Sequence, residues 1–338
     1  MDSKALPCCF YPTEVVFVDD NKLFLDTLDL FFQSLGGAVI FKTFLDPQEA
    51  LNYINQKEKI EGKKALLNRV LKHVDTFQPN CYSLALNVSD LHCECYHAER
   101  FEQISVLIAD YELKSKLNGL DVCKRILDTS IQKILFTGQN DMRLVIDAFN
   151  DGIIQRYVHK HEVQSFEKVA RMVFDAQNRY FEEISRPIIK AIDSRIHYPL
   201  ALYSSAFQKY WRELLARLDV VEYYLIEAVG SYLLITRSGQ VKILFVQNVD
   251  QFRANLMDVQ DEFGLSISEE LGKKLEKGES IVCNPCFIDG VARQNVDLLQ
   301  YILPAELIRD EDNGTQFYCA LTDDSWLTDR EALKCFKR

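Results

Sequence analysis

Through the first half of the chain, short apolar runs alternate with stretches whose apolar residues recur at helical spacing. Glu14–Val18 reads as a strand. A helical pattern follows from Leu23 to Leu35, with Leu23, Phe24, Leu28, Phe31 and Phe32 on its apolar face, and Gly36-Gly37 ends it. Ala38–Phe44 reads as a second strand. Asp46-Pro47 then opens a short helix, with Asp as the N-cap and Pro at the first helical position. After Ile54 the alternation breaks, and residues from about 56 to 102 read as an insertion. Within it an amphipathic helix is expected over Ala65–Phe77, and an irregular or partly stranded stretch over Pro79–Tyr96. Alternation resumes with strand 105–109 and helix 118–127, then strand 132–136 and helix 141–150. Strand 154–158 leads into a long helix from His161 to about Glu183, which Arg186-Pro187 is expected to break or kink. Five strand–helix units with short connections predict an α/β domain built on a doubly wound, five-stranded parallel sheet.

The second half has a different rhythm. A helical pattern over 201–218 precedes strand signals at 222–229, 231–236 and 241–246, with turn residues Gly230-Ser231 and Ser238-Gly239 between them. Helical patterns near 250–262 and 268–277 and a strand near 316–322 complete it. This predicts a second, α+β domain with a mainly antiparallel sheet. The expected division is an N-terminal tail over 1–12, the α/β domain over 13–183 and the second domain over 184–338.

Four of the apolar runs stop at a chemically useful residue. Val15–Val18 is followed by Asp19-Asp20, Val106–Ala109 by Asp110, Ile134–Phe136 by Thr137, and Tyr157–His159 by Lys160. As parallel strands of one sheet they would deliver these groups together at its carboxyl edge, where open α/β sheets bind ligands. Three carboxylates gathered there repel. At about 4 Å and an effective dielectric near 20, each pair costs about 4 kcal/mol. A hard divalent cation relieves this, and Mg²⁺ suits carboxylates combined with waters and phosphate oxygens.

Composition narrows the setting. No apolar run reaches the roughly 18 residues of a membrane span, and Met1-Asp2-Ser3-Lys4 lacks the basic start and apolar core of a secretory signal. A cytoplasmic protein without membrane attachment is expected, and its ten cysteines then read as reduced thiols. The net charge of −11 disfavours nonspecific binding to nucleic acid or anionic membranes. From Ile196 to the end, 15 Lys/Arg stand against 22 Asp/Glu, a net of −7, the wrong sign for a typical DNA-binding module.

The strand-end residues resemble the receiver domain of two-component response regulators, a flavodoxin-like fold. Asp19-Asp20 match the family's acidic pair, Asp110 its phospho-acceptor, Thr137-Gly138 its hydroxyl position and Lys160 its lysine. Tyr157, three residues before the lysine, matches the switch aromatic, and Gly119 fits the turn into the helix after the phosphorylation loop. The resemblance implies phosphoryl transfer from a sensor histidine kinase or phosphotransfer protein to Asp110. It also implies Mg²⁺ held by Asp19, Asp20, Asp110 and the backbone carbonyl of Glu112, with a conformational switch through Thr137 and Tyr157. Two departures stand out: His161 follows the lysine where the family usually has proline, and Lys114 occupies a common proline position. The whole layout is similar to Legionella-type quorum-sensing response regulators, which implies phosphorylation-linked homodimerisation. The receiver would catalyse its own phosphorylation, but no separate enzymatic motif appears in the second domain, where His197 is the only histidine. A DNA-binding output of non-standard class, or one that binds or processes a nucleotide, remains open.

Other clusters read more plainly. Cys81, His92-Cys93-Glu94-Cys95 and His97 invite a zinc reading, but Cys93 and Cys95 are spaced too tightly for the usual ligand pair. Cys283-Asn284-Pro285-Cys286 lacks a second pair and reads as a turn. Tyr198, Tyr203, Phe207, Tyr210 and Trp211 read as core or dimer interface. Glu112, two positions after the acceptor, lies near the approach of a hydrolytic water. Glu112→Ala is therefore expected to change the dephosphorylation rate of the phosphorylated chain. Indistinguishable decay of phosphoprotein in variant and wild type would remove that role.

Overall fold

The computed structural model describes residues 5–34, 39–61, 70–74, 83–138, 142–160, 165–194, 197–263, 268–283 and 301–323. In chain order the strands are β1 (Cys9–Phe10), β2 (Glu14–Val18), β3 (Ile40–Phe44), β4 (Leu71–Val74), β5 (Ser83–Leu86), β6 (Ile104–Ala109), β7 (Gln132–Thr137) and β8 (Arg156–His159). They continue with β9 (Val220–Glu227), β10 (Ser231–Thr236), β11 (Val241–Asn248), β12 (Ser280–Val282), β13 (Ile302–Pro304), β14 (Glu306–Arg309) and β15 (Gln316–Asp323). The α-helices are α1 (Lys22–Ser34), α2 (Pro47–Glu61), α3 (Gly119–Arg125), α4 (Met142–Asn150), α5 (Ser165–Asp193), α6 (Ser205–Leu218), α7 (Val249–Phe263) and α8 (Glu269–Glu276). The chain divides into two compact units. One comprises residues 11–68 and 98–185, the other Met1–Phe10, Arg69–His97 and Arg186–Arg338.

The first unit is a five-stranded, wholly parallel sheet in the order β3-β2-β6-β7-β8. Its three central strands carry the continuous apolar runs Val15–Val18, Val106–Ala109 and Ile134–Phe136 because helices cover both faces. Val16, Val18, Leu107, Ala109 and Leu135 pack on Ala50, Leu51, Ile54, Leu120, Cys123 and Val145. Their alternates Val15, Phe17, Val106, Ile108, Ile134 and Phe136 pack on Leu25, Leu28, Phe32, Val169 and Val173. The period of two along each strand thus feeds two separate cores.

The second unit carries a six-stranded antiparallel sheet in the order β1-β9-β10-β11-β15-β14. Trp211 on α6 is buried against Tyr223 and Tyr232, with ring centroids 5.1 and 4.3 Å away. Phe207 is buried beside it, so this part of the aromatic cluster is core; Tyr198 is partly exposed.

Three expectations change. Residues 1–12 are not all a tail: β1 pairs Cys9 with Tyr224 and Phe10 with Tyr223 as an edge strand of the second sheet, and Cys8 and Cys9 are fully buried. The helix expected over Ala65–Phe77 is absent where the segment is described. There Leu71–Val74 is a strand paired with Ser83–Leu86, a tertiary ladder that overrides local helical periodicity. The partly stranded reading of Pro79–Tyr96 holds at Ser83–Leu86, after which Val88–Tyr96 is a 3₁₀ helix. Finally, α5 runs through Pro187 to Asp193, so no break follows Arg186. Proline in a helix costs about 3 kcal/mol. Burial of Ile184, Ile188, Ile189 and Ile192 around it, at about 1.5–3 kcal/mol each, outweighs that cost.

Glu227 at the end of β9 is a partly buried carboxylate, accepting hydrogen bonds from Ser231 Oγ (2.9 Å) and Gln251 Nε2 (2.7 Å). Burial pushes its carboxyl above the usual 4.5, although both bonds pull it down. The folded state therefore holds this proton at a pH where the unfolded chain has released it, and stability falls as pH rises through that window. Glu227→Gln removes the loss. The variant should unfold at higher urea than wild type at pH 7, with the gap closing as pH drops below about 4.5.

Candidate functional site

The parallel register sets Val18 beside Ala109, Ala109 beside Leu135 and Thr137 beside His159. Asp19, Asp20 and Asp110 therefore leave the sheet at one edge, together with Thr137, the last residue of β7, and Lys160, just past β8. Backbone bonds fix the strand ends: the Asp19 N–H donates to the Phe44 carbonyl (3.2 Å), and the Asp110 N–H to the Val18 carbonyl (2.9 Å).

Carboxylate oxygens of Asp19, Asp20 and Asp110 lie within 4.8 Å of one another. Asp19 is fully buried. Its Oδ1 accepts from the Asn21 N–H (2.9 Å) and its Oδ2 from Lys160 Nζ (2.5 Å). Lys160 Nζ also reaches Asp110 Oδ2 at 2.9 Å and lies over the Phe24 ring, 4.8 Å from its centroid. Asn21 accepts from the Phe24 N–H at 3.2 Å, so the cap of α1 also sets the floor under the lysine. Lys114 Nζ pairs with Asp20 Oδ2 at 3.1 Å. Asp110 is 5% exposed, and its Oδ1 has no hydrogen-bond partner among the described residues.

Burial raises the Asp110 carboxyl above its ordinary range, against the lowering pull of Lys160 and with a further push from Asp19. For Lys160, burial alone would lower the ammonium, but hydrogen bonds to Asp19 and Asp110 outweigh it and the net direction is up. The lysine is thus held charged between two carboxylates. An all-oxygen donor set with an unpartnered buried oxygen fits a hard divalent cation.

No protein-family model and no curated protein matches the chain. Among solved structures, the response regulator LqsR of Legionella pneumophila matches with a TM-score of 0.76 at 27% identity, over 97% of this chain and 92% of that one. The parallel-sheet unit has the fold of a receiver domain, and the layout of the chain as a whole is similar to that of LqsR. Also similar, each over 51% of this chain with a TM-score of 0.33, are two receiver domains. One is the CheY-like receiver domain protein of Methanospirillum hungatei JF-1 (13% identity, 98% of that chain). The other is the signal receiver domain of an HD domain-containing protein of Pseudomonas fluorescens Pf-5 (18% identity, 91% of that chain).

In the parallel-sheet unit Tyr157 is partly buried and packs against the core on the α2–α3–α4 side of the sheet. Glu112 is exposed, and its backbone N–H faces the Asp110 carboxylate. His161 lies outside the described residues, as do Cys81 and Cys286. Among the described residues, the only close group of three or more candidate ligands is the aspartate cluster, which does not include His92, Cys93, Glu94 or Cys95. Cys283 is buried, and burial alone pushes its thiol up, which makes it unreactive. Sequence reasoning missed Asn21 and Phe24, whose signal was an N-cap residue three before an aromatic. It also missed the partner of Lys114, for which the sequence carries no signal.

Gly119 closes the loop beneath Asp110. Its N–H donates to the Tyr111 carbonyl (3.2 Å), and the Asn118 side chain caps α3 in a reciprocal pair with Asp121. A Cβ at this glycine would stand 2.1 Å from the Asp110 carbonyl oxygen and 3.2 Å from the Ala109 Cβ. Gly119→Ala should therefore move the Asp110 backbone and cost about 1–3 kcal/mol of stability. Urea unfolding, with the amide resonance of Asp110 as a local probe, measures both effects.

Proposed function

We propose that the chain is a two-component response regulator whose receiver accepts a phosphoryl group on Asp110 from a sensor histidine kinase or phosphotransfer protein. The observation that carries this reading is the unpartnered buried oxygen of Asp110, set beside two further aspartates while Lys160 holds the other oxygen. An Asp110 lone pair forms the bond to phosphorus as the P–N bond to the donor histidine breaks, and that bonding pair leaves on the imidazole nitrogen. Lys160, anchored by Asp19, stays beside the transferred group and offsets the charge that develops on its oxygens. Asp19, Asp20, Asp110 and the backbone carbonyl of Glu112 would hold Mg²⁺. When bound, the ion offsets carboxylate repulsion and phosphoryl charge.

In the same reading, Thr137 hydrogen-bonds the new phosphoryl group and its movement lets Tyr157 turn inward. The phosphoryl group brings about 1.5–2 units of negative charge and one to three charge-assisted bonds, at about 1.5–3 kcal/mol each. A full population inversion needs about 5.5 kcal/mol, so homodimerisation would complete what phosphorylation begins. Ile146 and Phe149, exposed on α4, supply apolar surface for that contact. Residues 13–183 would be the receiver and 184–338 the output. The layout it resembles supports a role in quorum sensing within the cytoplasm, and none of the described helices is long and apolar enough to cross a membrane.

With Mg²⁺ and a small-molecule phosphodonor, intact mass should show one added phosphoryl group on wild type and none on Asp110→Asn. Light scattering should shift from monomer towards dimer only for wild type. Equal modification of both proteins, or of neither, would sink the assignment of Asp110.

A further inference from the structure

The receiver pocket holds three carboxylates but only two ammonium groups, and these differ in kind. Lys160 is mostly buried, bonded to two aspartates and seated on a phenylalanine ring. Lys114 pairs with Asp20 alone, and its side chain is 88% exposed. It stands on the loop between Asp110 and α3, so nothing but that one ion pair ties its ammonium to the pocket among the described residues. A pair whose ammonium end stands in solvent, facing a largely buried carboxylate, is worth little, and the lysine exchanges readily with water.

We propose that Lys114 is an internal counter-ion that competes with a divalent cation for Asp20 and so weakens the pocket's cation affinity. The inference rests on the reading of Asp19, Asp20 and Asp110 as the cation's ligands. That the pocket is built for a ligand follows independently from the Asp110 oxygen, buried and unpartnered beside Asp20. With both lysines in place, the three carboxylates carry a net local charge of −1. When Lys114 withdraws, this becomes −2 and all the Asp20 oxygens are open to a cation. A cation must therefore displace an ammonium as well as water. In this protein, the residue at a common proline position tunes how much cation is needed before Asp110 is ready to react.

The test is calorimetric titration of MgCl₂ into the full chain, comparing wild type, Lys114→Ala, and Lys116→Ala. Lys116 is an exposed lysine of the same loop, so its removal changes the net charge by the same amount. Lys114→Ala should lower the Mg²⁺ Kd by about three- to fivefold at low salt, the range of one exposed ion pair. The gain should shrink as ionic strength rises, because the lysine's charge is screened. Lys116→Ala should leave the Kd at the wild-type value. An unchanged or weaker Kd for Lys114→Ala overturns the counter-ion role while the cation site stands, and so does an equal gain in Lys116→Ala. Absence of Mg²⁺ binding in all three proteins overturns both the role and the cation reading beneath it.

Discussion

Everything at the carboxyl edge depends on one ammonium group. Asp19 and Asp110 are buried, acidic and close, and a pair of this kind is unfavourable unless a positive charge stands between them. Lys160 provides it, and the fold is arranged to bring it there. Four adjacent parallel strands, β2, β6, β7 and β8, must be in register for a residue after β8 to reach residues after β2 and β6. The lysine is in turn held on Phe24, which belongs to the first turn of α1. The core, the helix cap and the charge arrangement are therefore one constraint seen at three scales.

The same arrangement leaves an asymmetry with chemical value. Lys160 saturates one oxygen of Asp110 and not the other. A carboxylate with both oxygens bonded is spent on structure; with one oxygen unpartnered, Asp110 can still take a counter-charge. Burial points the same way, since it raises the energy of the ionised carboxylate and so favours cation binding over rest.

Much of this was legible in the sequence because the physics is local. A strand buried on both faces must be continuously apolar, and its end is marked where the first charge appears; Val15–Val18 before Asp19 and Val106–Ala109 before Asp110 show both signals. The antiparallel strands around Gly230 and Gly239 were legible for similar reasons, each turn glycine taking a positive φ. What escaped was decided at a distance. Leu71–Val74 carries no strand signature of its own and is a strand because Ser83–Leu86 pairs with it. The helix through Pro187 persists because of apolar burial on neighbouring turns, which outweighs a local rule. The Lys114–Asp20 pair joins two loops that are remote in sequence.

The placement of β1 also bears on how this protein acquires its shape. Cys9–Phe10 lies against Tyr223 and Tyr224, and the whole parallel-sheet unit intervenes in the sequence between them. A ribosome making this chain would release β1 long before its pairing partner exists. The receiver could form meanwhile from segments already in hand. The antiparallel unit would be completed only when a late strand closes on an early one, a pairing of high contact order and hence slow. A fragment beginning after the receiver would leave the flank of β9 bare, an unpaired edge of the kind that invites intermolecular pairing. In the order of synthesis the second unit therefore both precedes and follows the first. Its biogenesis cannot be separated from that of the parallel-sheet unit by a single cut.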